Sequence, residues 1–163
     1  MRSMKLNRDW LFGNGILDHG KRMRGDYGDR TVNLPHDYMI ESDVFPEAVS
    51  GAASGYYNAG VAHYMKEIDL PAEWAEDQIL LRFDGAMMNA TVEINGSKAA
   101  LQHYGYAPFE VDITHLVYPG QKNSILITLN PSMQPNSRWY SGAGLFRGVE
   151  LLHTPMGMRQ ILT

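Results

Sequence analysis

The chain has 163 residues, 44% of them hydrophobic, and a formal net charge of −4, enough apolar material for one domain to bury a core without metal or disulfide staples. It contains no cysteine, which excludes zinc–thiolate sites, iron–sulfur clusters, redox pairs and thiol nucleophiles. Lys and Arg are scattered along the chain without the basic stripe that a phosphate backbone requires, and no apolar run approaches the ~20 residues of a spanning helix; neither nucleic acid nor membrane is an expected partner.

The first fifteen residues lack the unbroken apolar stretch of a signal peptide. MRSMK, residues 1–5, reads as a cloning remnant, so a removed signal stays open and the location is left between cytoplasm and periplasm. Up to residue 60 the chain is rich in turn formers (GNG, HGKRMRGDYGD, LPHDY, SGAASGYYNAG), predicting extended loops with short strands at residues 10–16 and 31–34 and no long helix. VAHYMKEIDL, residues 61–70, favours strand through its Val, Tyr and Ile. QILLRFDG alternates with period two, Ile79, Leu81 and Phe83 on one face, Leu80, Arg82 and Asp84 on the other.

TVEING repeats the alternation with Val92 and Ile94 inward, and Asn95–Gly96 predicts a type I′ hairpin returning through residues 97–101. NSILITLN places Ile125, Ile127 and Leu129 on one face, and GVELLH does the same with Val149 and Leu151. PAEWAED and DITHLV are the only plausible helical turns. Strands at intervals of about 10 to 15 residues, with turn chemistry between them, predict an all-β sandwich in one domain spanning residues 1–163.

The chemical constellations are sparse. The six histidines (19, 36, 63, 103, 115, 153) form no HxH or HExxH pair, so no metal site or other cofactor is expected. His36 in LPHDY is either a base paired with Asp37 or a histidine packed in the turn after Pro35. Ser141 lies in no GxSxG elbow, and the glycines form no phosphate cradle. Glycoside hydrolysis needs two carboxyl groups about 5 to 10 Å apart, yet Glu67, Asp69, Glu73, Glu76 and Asp77 crowd a polar turn, and Asp84 and Asp112 read as strand-end residues. No catalytic pair stands out. The segment PNSRWYSGAGLFRG, residues 135–148, is different. Trp139 and Tyr140 beside Arg138 and Asn136 combine aromatic planes for the C–H face of a sugar with donors for its hydroxyls. On an extended chain one of two adjacent aromatics points outward, toward either a ligand or another domain.

QPNSRWYSGAGLFRGVEL resembles the segment that closes the N-terminal domain of glycoside hydrolase family 2 enzymes, the β-galactosidase, β-mannosidase and β-glucuronidase group. TVNLPHDYMIE is similar to the family's early Leu-Pro-His-Asp-Trp stretch, with Tyr38 where Trp is common. LPAEW, ILLRFDGAMMNATVEINGSK and YGYAPFEVDITHLVYPGQKNSILITL match its later strands and turns in order, so the resemblance runs from Leu6 to His153. It implies a jelly-roll sandwich of the galactose-binding kind. In the family an immunoglobulin-like domain and a TIM barrel follow, the barrel carrying two glutamates that act with retention. The chain has no Asn-Glu dipeptide, the form in which the acid–base glutamate occurs, which implies a non-catalytic piece.

By the same resemblance Asn130 (where many members have Asp), Arg138 and, less directly, Asn58 contact the terminal sugar of a β-galactoside-like substrate. Trp139, Tyr140, Phe146 and Arg147 anchor the loop or a domain interface, Arg147 through a carboxylate. The expected partners are a carbohydrate and the downstream domains. An autonomous carbohydrate-binding module or lectin is the alternative, and a spacer without ligand a third reading; the aromatics cluster in loops instead of forming one platform, which favours the enzyme module.

Overall fold

The computed structural model describes residues 2–38, 41, 60–87, 89–103, 107–131 and 143–156. Ten strands dominate them: β1 (Arg2–Lys5), β2 (Trp10–Asn14), β3 (Arg30–Val32), β4 (Ala62–Asp69), β5 (Gln78–Phe83), β6 (Ala90–Ile94), β7 (Ser97–Gln102), β8 (Phe109–Asp112), β9 (Lys122–Leu129) and β10 (Val149–Thr154). They form two antiparallel sheets, a four-stranded one in the order β1-β10-β5-β8 and a six-stranded one in the order β3-β2-β4-β9-β6-β7. The predicted inward residues meet between the sheets. Ile79, Leu81, Phe83, Val92, Ile94, Ile125, Ile127, Leu129, Val149 and Leu151 all belong to one buried cluster, with Trp10 and Tyr64 fully buried among them. Burying this aliphatic and aromatic surface is what holds two otherwise independent sheets face to face.

β4 lacks a clean alternation because both of its faces are covered. Ala62, Tyr64 and Ile68 join the inter-sheet core, while Met65 packs with Leu17 and Leu126 in a second cluster closed by Tyr27. The cover is the excursion between β2 and β3, which contains the short helix α1 (His19–Met23), capped by Asp18 accepting from the Lys21 amide. Buried His63 clasps both ends of that excursion, its ring nitrogens 2.9 Å from Gly15 O and 3.1 Å from Tyr27 O. Gly13 leaves room for the ring, since a Cβ there would stand 2.6 Å from His63 Cε1.

The Asn95–Gly96 hairpin forms as expected, with φ of +51° and +84° between β6 and β7. The Asn95 side chain does more: it donates to Leu116 O and Asn123 Oδ1 and accepts from the Ser124 amide. Asn123, 1% exposed, in turn donates to Tyr118 O and Gln121 O. PAEWAED gives a single 3₁₀ turn at Ala72–Trp74, and DITHLV a turn closed by Leu116 N donating to Ile113 O. Three elements go beyond the periodicity reading. Residues 2–5 form strand β1, paired to β10 with Arg2 opposite His153. β8 and helix α1 are elements that periodicity did not single out.

Candidate functional site

One end of the sandwich gathers its connections. The C-terminal ends of β5, β7 and β9 and the N-terminal ends of β4, β6, β8 and β10 stand there. Across this rim runs residues 143–148, bonded on both sides. Tyr38 N donates to Ala143 O and His36 N to Leu145 O, while Gly144 and Met87 exchange both backbone hydrogen bonds. Asp37 Oδ1 accepts from the Ala143 amide at 3.0 Å. Gly144 has φ +140°, and a Cβ there would meet the His36 carbonyl and lie 2.8 Å from the Tyr64 hydroxyl; only glycine fits this crossing.

Beneath the crossing lies a chain of polar contacts. Tyr64 Oη is 2.6 Å from His36 Nδ1, and His36 Nε2 is 3.0 Å from Glu41 Oε1; Arg30 pairs with the same carboxylate. Burial pushes the Tyr64 hydroxyl well above the usual phenol range, against the pull of the Leu145 amide, so the group is a protonated donor. Partial burial works against the Glu41 charge, but the Arg30 and His36 hydrogen bonds outweigh it and hold the carboxyl below its ordinary range. A carboxylate only accepts, so His36 donates from Nε2 and accepts the Tyr64 proton at Nδ1. Phe12 packs edge-on to His36 at 5.0 Å and carries the Arg30 guanidinium 5.2 Å from its ring centre. The carboxylate partner of His36 is therefore Glu41, not Asp37, whose Oδ1 caps the Ala143 amide.

The sequence-predicted site residues divide as follows. Asn130 follows β9 directly on the rim, its carbonyl accepting from Asn89 Nδ2 at 3.0 Å. Asn89, with φ +49°, also contacts His103 Nδ1 through Oδ1 at 2.8 Å. Phe146 packs over Gly85, where a Cβ would stand 2.7 Å from its Cζ, and the Arg147 guanidinium lies 5.2 Å from the Phe146 ring centre. Arg147 donates to the Asp84 main-chain carbonyl at 3.5 Å, while the Asp84 carboxylate pairs with Arg82. Asn58, Arg138, Trp139 and Tyr140 lie outside the described residues. The flanks of their segments are described, however. Tyr38 stands where the resemblance implied Trp, and its hydroxyl donates to Gly60 O at 2.8 Å; Pro131 follows Asn130 and Ala143 bonds Tyr38. Both segments thus leave and return on the rim that holds Asn130.

Sequence reading missed Asn89, His103, Glu41 and Tyr64 as rim residues. The one available signal was an Asn just before a strand, a residue type that tolerates positive φ.

Known proteins resemble this chain in sequence and fold. A β-galactosidase of Bacteroides ovatus is 37% identical over 151 residues, covering 91% of this chain and 18% of that protein. A β-glucuronidase of Bacteroides fragilis is 32% identical over 154 residues, covering 91% of this chain and 20% of its own length. Among solved structures, a glycosyl hydrolase family 2 member from Bacteroides cellulosilyticus superposes with a TM-score of 0.88 at 32% identity, covering 94% of this chain and 21% of that one. The chain therefore spans about a fifth of the length of these relatives. The family described as "Glycosyl hydrolases family 2, sugar binding domain" matches residues 29–155, and the chain belongs to it.

Proposed function

We propose that the chain is the N-terminal, non-catalytic sugar-binding sandwich of a larger family 2 glycoside hydrolase that cleaves a terminal β-linked sugar, a galactoside in first place, with retention. In this reading Asn130, Arg138 and Asn58 reach from the rim to the sugar, Trp139, Tyr140, Phe146 and Arg147 steady the rim against the downstream domains, and the two catalytic glutamates come from a barrel beyond this chain. The observation that carries it is the rim itself. The flanks of both segments that hold the candidate residues converge beside Asn130, while three described carboxylates there are tied up in structure: Asp37 on the Ala143 amide, Glu41 on Arg30 and His36, Asp84 on Arg82. Carboxylates engaged in this way are poorly placed as the acid and nucleophile of a glycosidase.

The test is a pair of measurements on the purified chain. Nitrophenyl β-galactoside and β-glucuronide should not be hydrolysed, and calorimetry with galactose should give weak binding. A few exposed hydrogen bonds of about 0.5 to 1.5 kcal/mol each barely exceed the cost of association. Turnover that survives repurification overturns the non-catalytic role, and micromolar affinity would make the chain a self-sufficient lectin.

A further inference from the structure

At the opposite end of the sandwich, the length of β10 away from the rim, a cavity of about 320 Å³ opens between edge strand β1 and the Pro71–Trp74 turn. It is lined by Met4, Pro71, Trp74 and Leu151 together with Arg2, Ser3 and Glu73. His153 also lines it, only 6% exposed, its ring 3.9 Å from the Trp74 ring. Nδ1 lies 3.1 Å from Asp77 Oδ2, close enough for charge attraction but too poorly aligned for a directed hydrogen bond, and it is sealed from solvent. Nε2 has no hydrogen-bond partner among the described residues and is not sealed, so it opens to the cavity.

We infer that this cavity is a second saccharide site, separate from the rim and independent of how the rim is read. Arg2 balances Glu73 and Asp77 faces His153, so the lining makes no demand for a charged ligand. The negative Asp77 carboxylate 3.1 Å from Nδ1 favours a proton on that nitrogen by charge attraction. Nε2 then accepts a hydrogen bond in the neutral ring and donates one in the imidazolium. A hydroxyl satisfies it in either state; a carboxylate or an ammonium does so in one. Met4, Pro71, Leu151 and the Trp74 indole give the cavity an apolar wall beside the polar Arg2, Ser3 and Glu73, which suits a ligand with a C–H face beside its hydroxyls. The volume is at the lower end for small-ligand pockets, which fits one sugar unit and not a long chain.

The experiment is a titration of the ¹⁵N-labelled chain with methyl β-galactoside, methyl β-glucuronide and, as a hydroxyl control without a pyranose face, glycerol. The indole N–H of Trp74 and the amides of Arg2, Met4 and His153 should move together and saturate at millimolar sugar. His153→Asn keeps a donor toward Asp77 but deletes Nε2, and should weaken binding at least tenfold; Met4→Trp fills the cavity from the edge strand and should abolish it even if the Asn variant fails to fold. The inference is overturned if only rim resonances respond, if Met4→Trp binds as the unaltered chain does, or if glycerol produces the same saturable shifts as the sugars.

Discussion

At the residue scale the rim depends on a few side chains whose partners are far away in sequence. The Tyr64 hydroxyl sits between His36 and Leu145, buried and fully used. Tyr64→Phe leaves both without that partner and should cost about 1 to 3 kcal/mol, read as a lower urea midpoint with an unchanged slope. Gly144→Ala should cost at least as much, because the added methyl meets the His36 carbonyl at a positive φ. Glu41 gives a pH signature. Its folded pKa is depressed, so its contribution is present above the ordinary carboxylate range and is lost as pH falls through the folded value. The stability difference between the unaltered chain and Glu41→Gln should therefore be constant near neutrality and vanish in acid; because the carboxylate is largely exposed, the difference should be small. A difference that persists in acid would show that the pair is not what Glu41 contributes. The LPHDY motif announced a histidine with a carboxylate, but an adjacent residue is the one a reader sees, while the fold supplies Glu41 five positions on.

At the element scale the sequence was most legible where one strand face meets the core and the other meets water. β5 and β6 follow period two residue by residue, and Asn–Gly marked its hairpin. β4 was harder because Met65, beside Leu126 of β9, is buried on the outer face, under an excursion whose Gly- and Asp-rich sequence reads as loop. β1 was illegible for another reason: all four residues are exposed, and its strand identity comes from the hydrogen bonds of β10. Removing residues 1–5 should leave a folded chain whose melting point falls by several degrees, since it strips the pairing partner of β10 and opens Leu151; an unchanged melting point would mean that β1 only decorates the edge. Asn123→Ala should be worse. It leaves Tyr118 and Asn95 groups unsatisfied inside the fold, each costing about 1 to 3 kcal/mol, and equilibrium denaturation measures the sum.

At the scale of the whole molecule the sandwich is a scaffold with two differently furnished ends. The rim is built from crossing backbone, glycine and a buried tyrosine linked through His36 to the exposed Glu41 carboxylate, which fixes the flanks of residues 42–59 and 132–142. The far end is closed by the Asn95–Asn123 knot and indented by the cavity at His153. The fold class and its family were legible from ordered motifs along nearly the whole chain. The contacts of Asn58 and Arg138 were implied by resemblance alone, because a sugar-contacting side chain on a loop leaves no period or spacing to read. The central claim is that the rim binds the sugar while the chemistry happens elsewhere. It is tested most directly by Arg138→Ala in the full-length enzyme, with kcat/KM and melting temperature measured on the same preparation. Losing one charged hydrogen bond of about 1.5 to 3 kcal/mol should lower kcat/KM by roughly 10- to 150-fold with the melting temperature unchanged. Normal kinetics in a protein that melts many degrees lower would contradict the account, because Arg138 would then hold the rim together and not the sugar.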